Sequence, residues 1–391
     1  DAREYSQEDK KFLRITRENM RIVNGHYELP LPFKNPNVQM PNNREQAVKR
    51  AQWQKKKMLR DEKYREDYVT FMNELVSKGY ASKVPEDREA PESGKQWYIP
   101  THGVYNPRKP GKIRVVLDCS ARFGGTSLND QLIQGPDLTN ALVGVLNRFR
   151  EARVAFMGDI ESMFFQVRVP ENQRSFLRFL WWPDGDLEQE LQEYEMNVHP
   201  FGACSSPSCA NLALRQTADD NEEVFGPLVS DTIRRNFYVD DCLRSVEDET
   251  VAVRLIEGLR KVCANGGFRL RKFTSNSRAV LDSVPPDKRS KETRAINLDY
   301  DCLPIERALG VEWCIQSDTL GFRIAVNDKP LTRRGILSVV SSIFDPLGLV
   351  APFSLPAKLI LQELVRDKKL GWDDEIPENL RVKWLSWRSE L

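Results

Sequence analysis

Two apolar stretches, the second with alternating apolar and polar positions, end in carboxylates, which predicts two β-strands whose ends carry acidic side chains. The first stretch is Arg153–Asp159, and the second is Asn236–Asp241, which a short apolar run follows at once. The second pattern predicts a tight β-hairpin with Asp240 and Asp241 in its turn. If the two stretches are neighbouring strands of one sheet, Asp159 and this turn meet at the same edge.

A cluster of three carboxylates needs a compensating charge, because like charges in one site raise the pKa of at least one group. A pair of Mg²⁺ ions about 3.5–4 Å apart is the usual solution and serves in-line phosphoryl transfer. Mn²⁺ is expected to substitute for Mg²⁺. The alternative is a scaffold in which these aspartates only cap turns, since Asp is a favoured turn residue. Such a scaffold predicts no metal dependence.

The hydrophobic pattern outlines the rest of the chain as helical flanks around a strand-rich centre. Apolar residues at helical spacing predict helices from Ser6 to about Asn24, Arg44 to about Ser77, Leu138 to Phe149, Ser206 to about Asp220, Thr250 to Ala264, Leu331 to Phe344, Leu355 to Lys368 and Glu378 to Glu390. Alternation predicts strands at Trp97–Ile99, Ile113–Asp118, Val167–Val169, Phe176–Trp181, Glu193–Val198 and Phe268–Phe273. Pro107–Gly111 is predicted to be a turn with basic residues at its tip.

Composition limits the classes of function. The chain has 40% hydrophobic and 29% charged residues, typical of an ordinary soluble protein, and no run approaches the roughly 18 apolar residues of a bilayer span. A formal net charge of +1 argues against a histone-like binder, but not against an enzyme with a basic cleft. The basic run Lys49–Lys57 is interpreted as a solvated helix face. Because the first residue is Asp1 rather than Met, the chain is expected to be a piece or a processed product of a longer protein.

Cysteine and histidine usage predicts no disulfide framework and no zinc site. The seven Cys form no C-x-x-C pair, and the three His complete no zinc pattern. Reduced thiols favour a cytoplasmic setting.

Three short motifs resemble the palm motifs of reverse transcriptases, in that family's order and at ordinary spacings. Tyr238–Asp241 resembles the Tyr-x-Asp-Asp box. Asp159, with Phe164 five residues later, resembles the first palm motif, an Asp followed by an aromatic residue. Pro200–Pro207 resembles the second palm motif, in which Ser-Pro follows a Gly by four residues. The three together are far more specific than any one of them.

Two further stretches narrow the family and extend the resemblance over nearly the whole chain. His26–Pro32 and Phe344–Pro352 look like stretches that accompany the polymerase of BEL/Pao-type LTR retrotransposons. The resemblance implies an α+β right-hand polymerase with fingers, palm and thumb, a ferredoxin-like antiparallel palm sheet and helical flanking regions. The implied parts are 1–95 (N-terminal helical extension and start of the fingers), 96–150 (fingers), 151–315 (palm with catalytic carboxylates) and 316–391 (thumb and start of the connection region).

The resemblance also implies roles in the acidic cluster and in the fingers. The three aspartates would hold two Mg²⁺ ions, and the backbone carbonyl of Ile160 would bind one of them. By position, Arg114 matches the fingers arginine that contacts the phosphates of the incoming nucleotide, where an Arg fork neutralises the charge of leaving pyrophosphate. Lys112 is a second, weaker match. Exposed basic residues are also common on hairpins that bind nothing.

Further matches concern the nucleotide pocket. An aromatic ring at Phe164 would collide with a 2′-hydroxyl and favour deoxynucleotides, although a core Phe is the alternative. Phe201 stands before Gly202 where the retroviral pattern has Gln, which leaves it only apolar packing near the nucleotide. Lys272 matches the lysine of the fourth palm motif, which protonates or neutralises leaving pyrophosphate. A solvated strand lysine is the alternative for that position.

Two matches concern the primer and the duplex. Leu309, Gly310 and Val311 resemble the hairpin that grips the primer end, where a Gly allows close approach of the backbone. Arg333 and Arg334, on a predicted thumb helix, are expected to lie along nucleic-acid phosphates.

The resemblance implies an RNA-directed and DNA-directed DNA polymerase that transfers nucleotides to a primer 3′-hydroxyl. Its expected partners are an RNA template, a DNA primer, their RNA–DNA hybrid, deoxynucleoside triphosphates and the rest of the retrotransposon polyprotein, with no membrane. The expected location is the cytoplasm, including virus-like particles. No protease, RNase H or integrase region is recognisable. The alternative is a catalytically decayed or domesticated element that binds template–primer without polymerising, and the intact aspartates and Arg114 argue against it.

Overall fold

The computed structural model describes residues 4–106, 109–294, 305–321, 328–366 and 369–390. The chain divides into two compact units, each assembled from separated stretches of sequence. The first unit contains the residues up to Thr139, with Ile160–Arg234 and Leu255–Leu270. The second contains Asn140–Asp159, Arg235–Arg254 and the residues from Arg271 onward.

Helices and strands are interspersed along the described residues. The helices are α1 (Gln7–Glu18), α2 (Arg44–Arg60), α3 (Glu62–Ser77), α4 (Leu128–Gln131), α5 (Leu142–Phe149), α6 (Ser206–Phe225), α7 (Pro227–Arg235), α8 (Glu249–Asn265), α9 (Arg278–Ser283), α10 (Lys291–Arg294), α11 (Arg333–Ser342), α12 (Ala351–Arg366) and α13 (Glu378–Arg388). The strands are β1 (Arg21–Val23), β2 (His26–Glu28), β3 (Ala81–Lys83), β4 (Thr101–Asn106), β5 (Lys109–Leu117), β6 (Val154–Ile160), β7 (Arg178–Trp181), β8 (Gln192–Met196), β9 (Phe237–Tyr238), β10 (Asp241–Val246), β11 (Leu270–Ser275), β12 (Ile305–Ala308), β13 (Val311–Cys314) and β14 (Thr319–Gly321). In this part of the chain, no helix is both long and apolar enough to cross a membrane.

In the first unit, the β4–β5 hairpin packs one face on a helix and leaves the other in solvent. Alternation along β5 buries three of its side chains: Ile113, Val115 and Leu117. Lys112 and Arg114 therefore lie on the exposed face. Helix α3 covers the buried face, where the Tyr68 hydroxyl donates to Thr101 Oγ1 at 2.7 Å. The two cations, Lys112 and Arg114, thus lie on the solvent side of a hairpin whose other side packs on α3.

The main core of the first unit contains several large aromatic side chains. The antiparallel sheet β3-β8-β7 contributes Trp181, whose ring stacks on Tyr68 with 5.3 Å between ring centroids. Trp97 is completely buried in the same cluster. Burial of such large side chains supplies much of the hydrophobic stabilisation of a domain.

In the second unit, a four-stranded sheet has the order β11-β6-β10-β9. In chain order the strands are β6, β9, β10 and β11, so the first lies between the fourth and the third. With helices between β6 and β9 and between β10 and β11, this is the ferredoxin-like arrangement, and the predicted palm sheet is confirmed.

A second sheet and a helical bundle complete this unit. The sheet β12-β13-β14 buries Trp313, whose ring meets Phe149 of α5 edge-on at 4.8 Å between centroids. Ala155 of β6 and Leu243 of β10 belong to the same core cluster. Helices α11, α12 and α13 enclose a separate cluster around Trp384 and Trp387.

The predicted first helix was too long, because a hairpin signal follows it. Helix α1 begins with the predicted Ser6 cap but ends at Glu18, and β1 and β2 follow. Asn24 and Gly25 join these strands with φ of 50° and 75°. Two successive left-handed residues make the tight turn that Asn-Gly favours between short strands.

Several other predicted boundaries were wrong. The helix predicted over Arg44–Ser77 is broken at Asp61, whose side chain accepts from the Tyr64 backbone N–H and starts α3. Trp97–Ile99 is not a strand, and only Tyr98 forms an isolated bridge there. The strand predicted at Val167–Val169 is reduced to bridges, and the one at Phe176–Trp181 begins only at Arg178. In the predicted Pro107–Gly111 turn, residues 107 and 108 lie outside the described residues.

Replacing Trp313 by Ala is expected to lower the free energy of unfolding by about 3–5 kcal/mol, because it empties a large core volume. It also removes the indole N–H that donates to Asp318 Oδ1 at 2.9 Å. Denaturant unfolding followed by circular dichroism measures the change. The matched control is Trp53→Ala at a site 63% exposed, which is expected to change the value by no more than about 0.5 kcal/mol. Equal losses in both variants would contradict this account of the core.

Candidate active site

The palm sheet of the second unit brings two of the predicted aspartates face to face. Asp159 lies near the end of β6, and Asp241 is the first residue of β10. The two are direct partners in the antiparallel register. Side chains of directly opposed residues in such a pair have Cβ atoms about 4.5–5.5 Å apart.

A two-residue turn places Asp240 next to this pair. Tyr238 and Asp241 are register partners, so Val239 and Asp240 form the turn between β9 and β10. Asp241, predicted to lie in the turn, instead opens the strand. Val239 has φ of 57°, a left-handed conformation that a β-branched residue rarely adopts. Such strain persists only where the surroundings enforce it, and it is concentrated at functional sites.

Burial and acidic neighbours raise the pKa of Asp240 and of Asp241. Burial, and then the charges of Asp240 and Asp159, raise the pKa of Asp241 to about 7. Burial, followed by the charge of Asp159, also raises the pKa of Asp240. Lys272 opposes both shifts. The cluster therefore holds more negative charge than its protein surroundings neutralise.

Lys272 forms an ion pair with Asp159. Its Nζ lies 2.8 Å from Asp159 Oδ1, and its side chain is 56% exposed. In the described part of the chain, no three His, Cys, Asp or Glu side chains converge into a group that could hold a metal ion as they stand. Asp159 forms the direct ion pair with Lys272, while the positive charge of Lys272 also acts on Asp240 and Asp241. The chemistry of three partly buried carboxylates with one lysine still fits a divalent cation, since hard cations take oxygen ligands.

In the first unit, three predicted nucleotide-pocket residues form one contact cluster. The Arg114 guanidinium carbon lies 5.5 Å from the centroid of the Phe201 ring. That ring contacts Phe164 at 4.7 Å and Phe165 at 4.9 Å between centroids. Phe201 therefore does more than the predicted apolar packing, because a guanidinium over an aromatic face is attracted by the ring quadrupole. Lys112 is exposed two residues before Arg114 on the same strand.

The loop that carries Phe201 is fixed by Gly202 and by a residue that the sequence analysis missed. Gly202 has φ of 117°, and an added Cβ would lie 2.2 Å from the carbonyl oxygen of Leu117. Asn129 Nδ2 donates to the Gly202 carbonyl at 3.0 Å, and its Oδ1 accepts from the Cys204 N–H at 2.9 Å. A capping box that starts α4 was the available signal for a short helix at this position.

Ile160 and the predicted primer-grip residues occupy special backbone positions. Ile160 ends β6 with a buried side chain. Leu309 and Gly310 form a two-residue turn, with φ of 51° and 91°, between β12 and β13. Val311, the next residue, is buried. A Cβ on Gly310 would lie 2.7 Å from the Phe344 ring, so the turn packs closely on that side chain.

The two arginines of the predicted thumb helix differ in environment. Arg333 is only 8% exposed, and it donates to the Leu364 carbonyl at 2.6 Å and lies over the Trp372 ring. This burial does not fit the predicted phosphate contact, because the guanidinium already contacts the Leu364 carbonyl and the Trp372 ring. Arg334 is exposed and makes a bidentate pair with Asp373, at 2.7 and 3.0 Å.

Comparisons with known proteins agree with the motifs. Residues 109–273 match the family model described as reverse transcriptase (RNA-dependent DNA polymerase). Residues 332–391 match the model described as Pao retrotransposon-like RNaseH-like domain, a kind of region that the sequence analysis did not recognise. The division of 316–391 into thumb and connection stays a prediction. No curated protein matches the sequence.

Solved structures of foamy viral protease–reverse transcriptase share the fold. The complex with an RNA/DNA hybrid has a TM-score of 0.52 at 14% identity, over 100% of this chain and 44% of that chain. The complex with double-stranded DNA has a TM-score of 0.51 at 15% identity, over 81% and 45%. This chain thus spans less than half the length of the foamy viral proteins. Together, the two family-model matches support a reverse transcriptase region of the BEL/Pao retrotransposon type.

Proposed function

We propose that the chain is an RNA-directed and DNA-directed DNA polymerase that extends a primer 3′-hydroxyl with deoxynucleoside triphosphates. The observation that carries this proposal is the opposition of Asp159 and Asp241 beside the Asp240 turn. Binding alone needs no such cluster, since carboxylates repel a polyanion. RNA template, DNA primer, their hybrid and the rest of the polyprotein are the proposed partners, in the cytoplasm or in virus-like particles.

The three aspartates, with the backbone carbonyl of Ile160, would hold two Mg²⁺ ions, and Mn²⁺ would substitute. When bound, such ions supply electrostatic stabilisation of the attacking and leaving oxygens in an in-line displacement. Ionised Asp241 is costly without a cation, since its pKa is raised to about 7 by burial and by its acidic neighbours. The aspartates thus provide the oxygen ligands that hard cations prefer.

The remaining residues bind and orient the nucleotide. Arg114 would neutralise the charge that develops on leaving pyrophosphate, and Lys112 would add to the field. Lys272 would hold a proton at Nζ for the same leaving group. The Phe164 ring would exclude a 2′-hydroxyl, while the Phe201–Gly202 loop would line the pocket. Leu309–Val311 would position the primer end.

Asp240→Asn is expected to lower primer extension on an RNA template by at least about 10²–10³-fold, the size of effect seen when one electrostatic stabiliser is lost. Gel-resolved extension with Mg²⁺ and deoxynucleotides measures it. Asp87→Asn, on an exposed turn, is the matched control and should extend like the parent. A parent that binds hybrid but does not extend would instead favour a catalytically decayed element. Full extension by Asp240→Asn would refute the proposed role.

Asp241→Asn is expected to raise the Tm by about 2–4 °C at pH 8 with EDTA, the change that corresponds to roughly 1 kcal/mol in a large domain. The reason is that the substitution removes a buried charge that its acidic neighbours repel. Added Mg²⁺ should raise the Tm of the parent more than that of the variant. Differential scanning fluorimetry measures both, again with Asp87→Asn as control. A lower Tm for Asp241→Asn in EDTA would show that the cluster is not under electrostatic strain.

Phe164→Val is expected to reduce discrimination against ribonucleotides by about tenfold or more, because it removes the ring that would meet the 2′-hydroxyl. The measurement is the ratio of kcat/KM for a deoxynucleotide and its ribonucleotide. Phe164→Tyr keeps the ring and should keep the ratio. If Phe164→Val slows both substrates equally, Phe164 is a packing residue only.

A further inference from the structure

Helix α2 concentrates positive charge that the chain as a whole does not carry. It has seven Lys or Arg and a single Glu among 17 residues, whereas the formal net charge of the whole chain is only +1. A concentration of one sign on one element is the electrostatic footprint of a polyanion site.

Four of these cations contact other elements of the first unit, to which α2 belongs. Arg44 pairs with Glu193 at 3.0 Å, and Arg50 pairs with Asp118 at 3.3 Å. Lys55 donates to the Leu187 carbonyl, and Lys57 lies 3.8 Å above the centroid of the Tyr64 ring. These contacts fix the orientation of α2 and therefore of its outer face.

The other three cations lie on that outer face. Lys49, Lys56 and Arg60 are all exposed. Among the described residues, Lys49 pairs only with Glu45, at 2.6 Å, and the two side chains are 68% and 77% exposed. Such pairs contribute little and are readily replaced by another anion. Lys56 and Arg60 make no hydrogen bond or ion pair with any described residue.

Trp53 lies among these three cations. It is 63% exposed, while six of the eight Trp in the chain are at most 5% exposed. It makes no ring contact with the described residues, unlike Trp372, which lies under Arg333. Residues three and four apart share one face of a helix, so Lys49, Trp53, Lys56 and Arg60 form a continuous line, here called the α2 stripe.

A solvated helix face accounts for the lysines but not for the indole. Leaving a large apolar ring in water forgoes the stabilisation that its burial would give. Aromatic rings interleaved with cations are what proteins use to bind single-stranded nucleic acid, because any unpaired base can stack on the ring while the cations follow the phosphates. Paired bases inside a duplex offer no free face to stack on.

We propose that the α2 stripe binds single-stranded nucleic acid without sequence preference. One base stacks on Trp53, and its neighbouring phosphates contact Lys49, Lys56 and Arg60. The identification of this strand as unpaired template ahead of the polymerised duplex rests on the proposed function. The stacking of a base on Trp53 does not depend on the proposed function.

The test is binding of a fluorescein-labelled oligouridylate, measured by fluorescence anisotropy over a range of salt. All proteins carry Asp240→Asn and no nucleotide is added, so that polymerisation plays no part. Trp53→Ala is expected to raise Kd about tenfold while leaving the salt dependence unchanged. Trp53→Phe keeps a ring and should retain most of the affinity. Lys49→Gln/Lys56→Gln/Arg60→Gln should lower the slope of log Kd against log salt by about 2.

The matched control also removes three positive charges from one face of a helix, but from a face without an aromatic residue. Lys10, Arg14 and Arg17 are exposed along α1 at helical spacing. Lys10→Gln/Arg14→Gln/Arg17→Gln should change Kd by less than about twofold, because no base stacks there. Thermal unfolding of every variant confirms that its fold is retained.

Three results would overturn the stripe. One is an unchanged Kd of Trp53→Ala for oligouridylate. Another is that Trp53→Ala weakens binding to a blunt duplex as much as binding to oligouridylate, which would show no preference for unpaired bases. The third is that Trp53→Ala weakens binding to phosphatidylserine vesicles but not to oligouridylate, which would make Trp53 a membrane contact. A separate extension assay on the parent keeps the two proposals distinct. Absent extension with Trp53-dependent oligouridylate binding defeats the polymerase proposal alone, and normal extension without that binding defeats the stripe alone.

Discussion

The antiparallel register between β6 and β10 is the constraint on which the candidate active site depends. It sets Asp159 opposite Asp241 and continues to the pair Val154 and Val246. A slip of one residue would turn every side chain of one strand to the other face of the sheet and separate the carboxylates. Ala155 and Leu243, buried in the core around Trp313, prevent such a slip. The hydrophobic pattern of the two strands therefore fixes the positions of the charges at their ends.

That register is maintained against local electrostatic and conformational costs. The pKa of Asp241 is raised to about 7 by burial and by its acidic neighbours. Two non-glycine residues beside the cluster, Val239 and Lys272, both have φ of 57°. Each feature costs stability by itself, and all of them lie at one end of a single sheet. A sequence optimised only for folding would not gather them there, so this concentration argues for function.

The sequence could predict the palm because strand alternation and short motifs act over a few residues. It placed the β6 and β10 strands, Asp159 near the end of β6 and Asp240 in the turn, although it put Asp241 in that turn as well. It also anticipated the ferredoxin-like sheet through the family. It could not place Asn129, since that side chain acts on a loop more than 70 residues away in the chain. It also could not foresee the burial of Arg333, because a cation on a helix is hidden only when another element, here Leu364 of α12, covers it. The early end of α1 was foreseeable, since Asn24-Gly25 is a strong hairpin signal that the helical pattern outweighed.

The Phe201 position shows how a departure from the retroviral pattern can keep the geometry of a site. A glutamine there could hold a neighbouring group by hydrogen bonds, whereas phenylalanine offers only the face and edge of its ring. The face attracts the Arg114 guanidinium at 5.5 Å, and the ring is held in turn by Phe164 and Phe165. Close packing transmits small shifts between neighbouring side chains. Phe164, proposed to exclude a 2′-hydroxyl, and Arg114, proposed to contact the phosphates, are therefore coupled through the Phe201 ring. An aliphatic residue at 201 would fill the volume but lose the attraction, so the aromatic character of this position, rather than its size, links the two ends of the proposed nucleotide pocket.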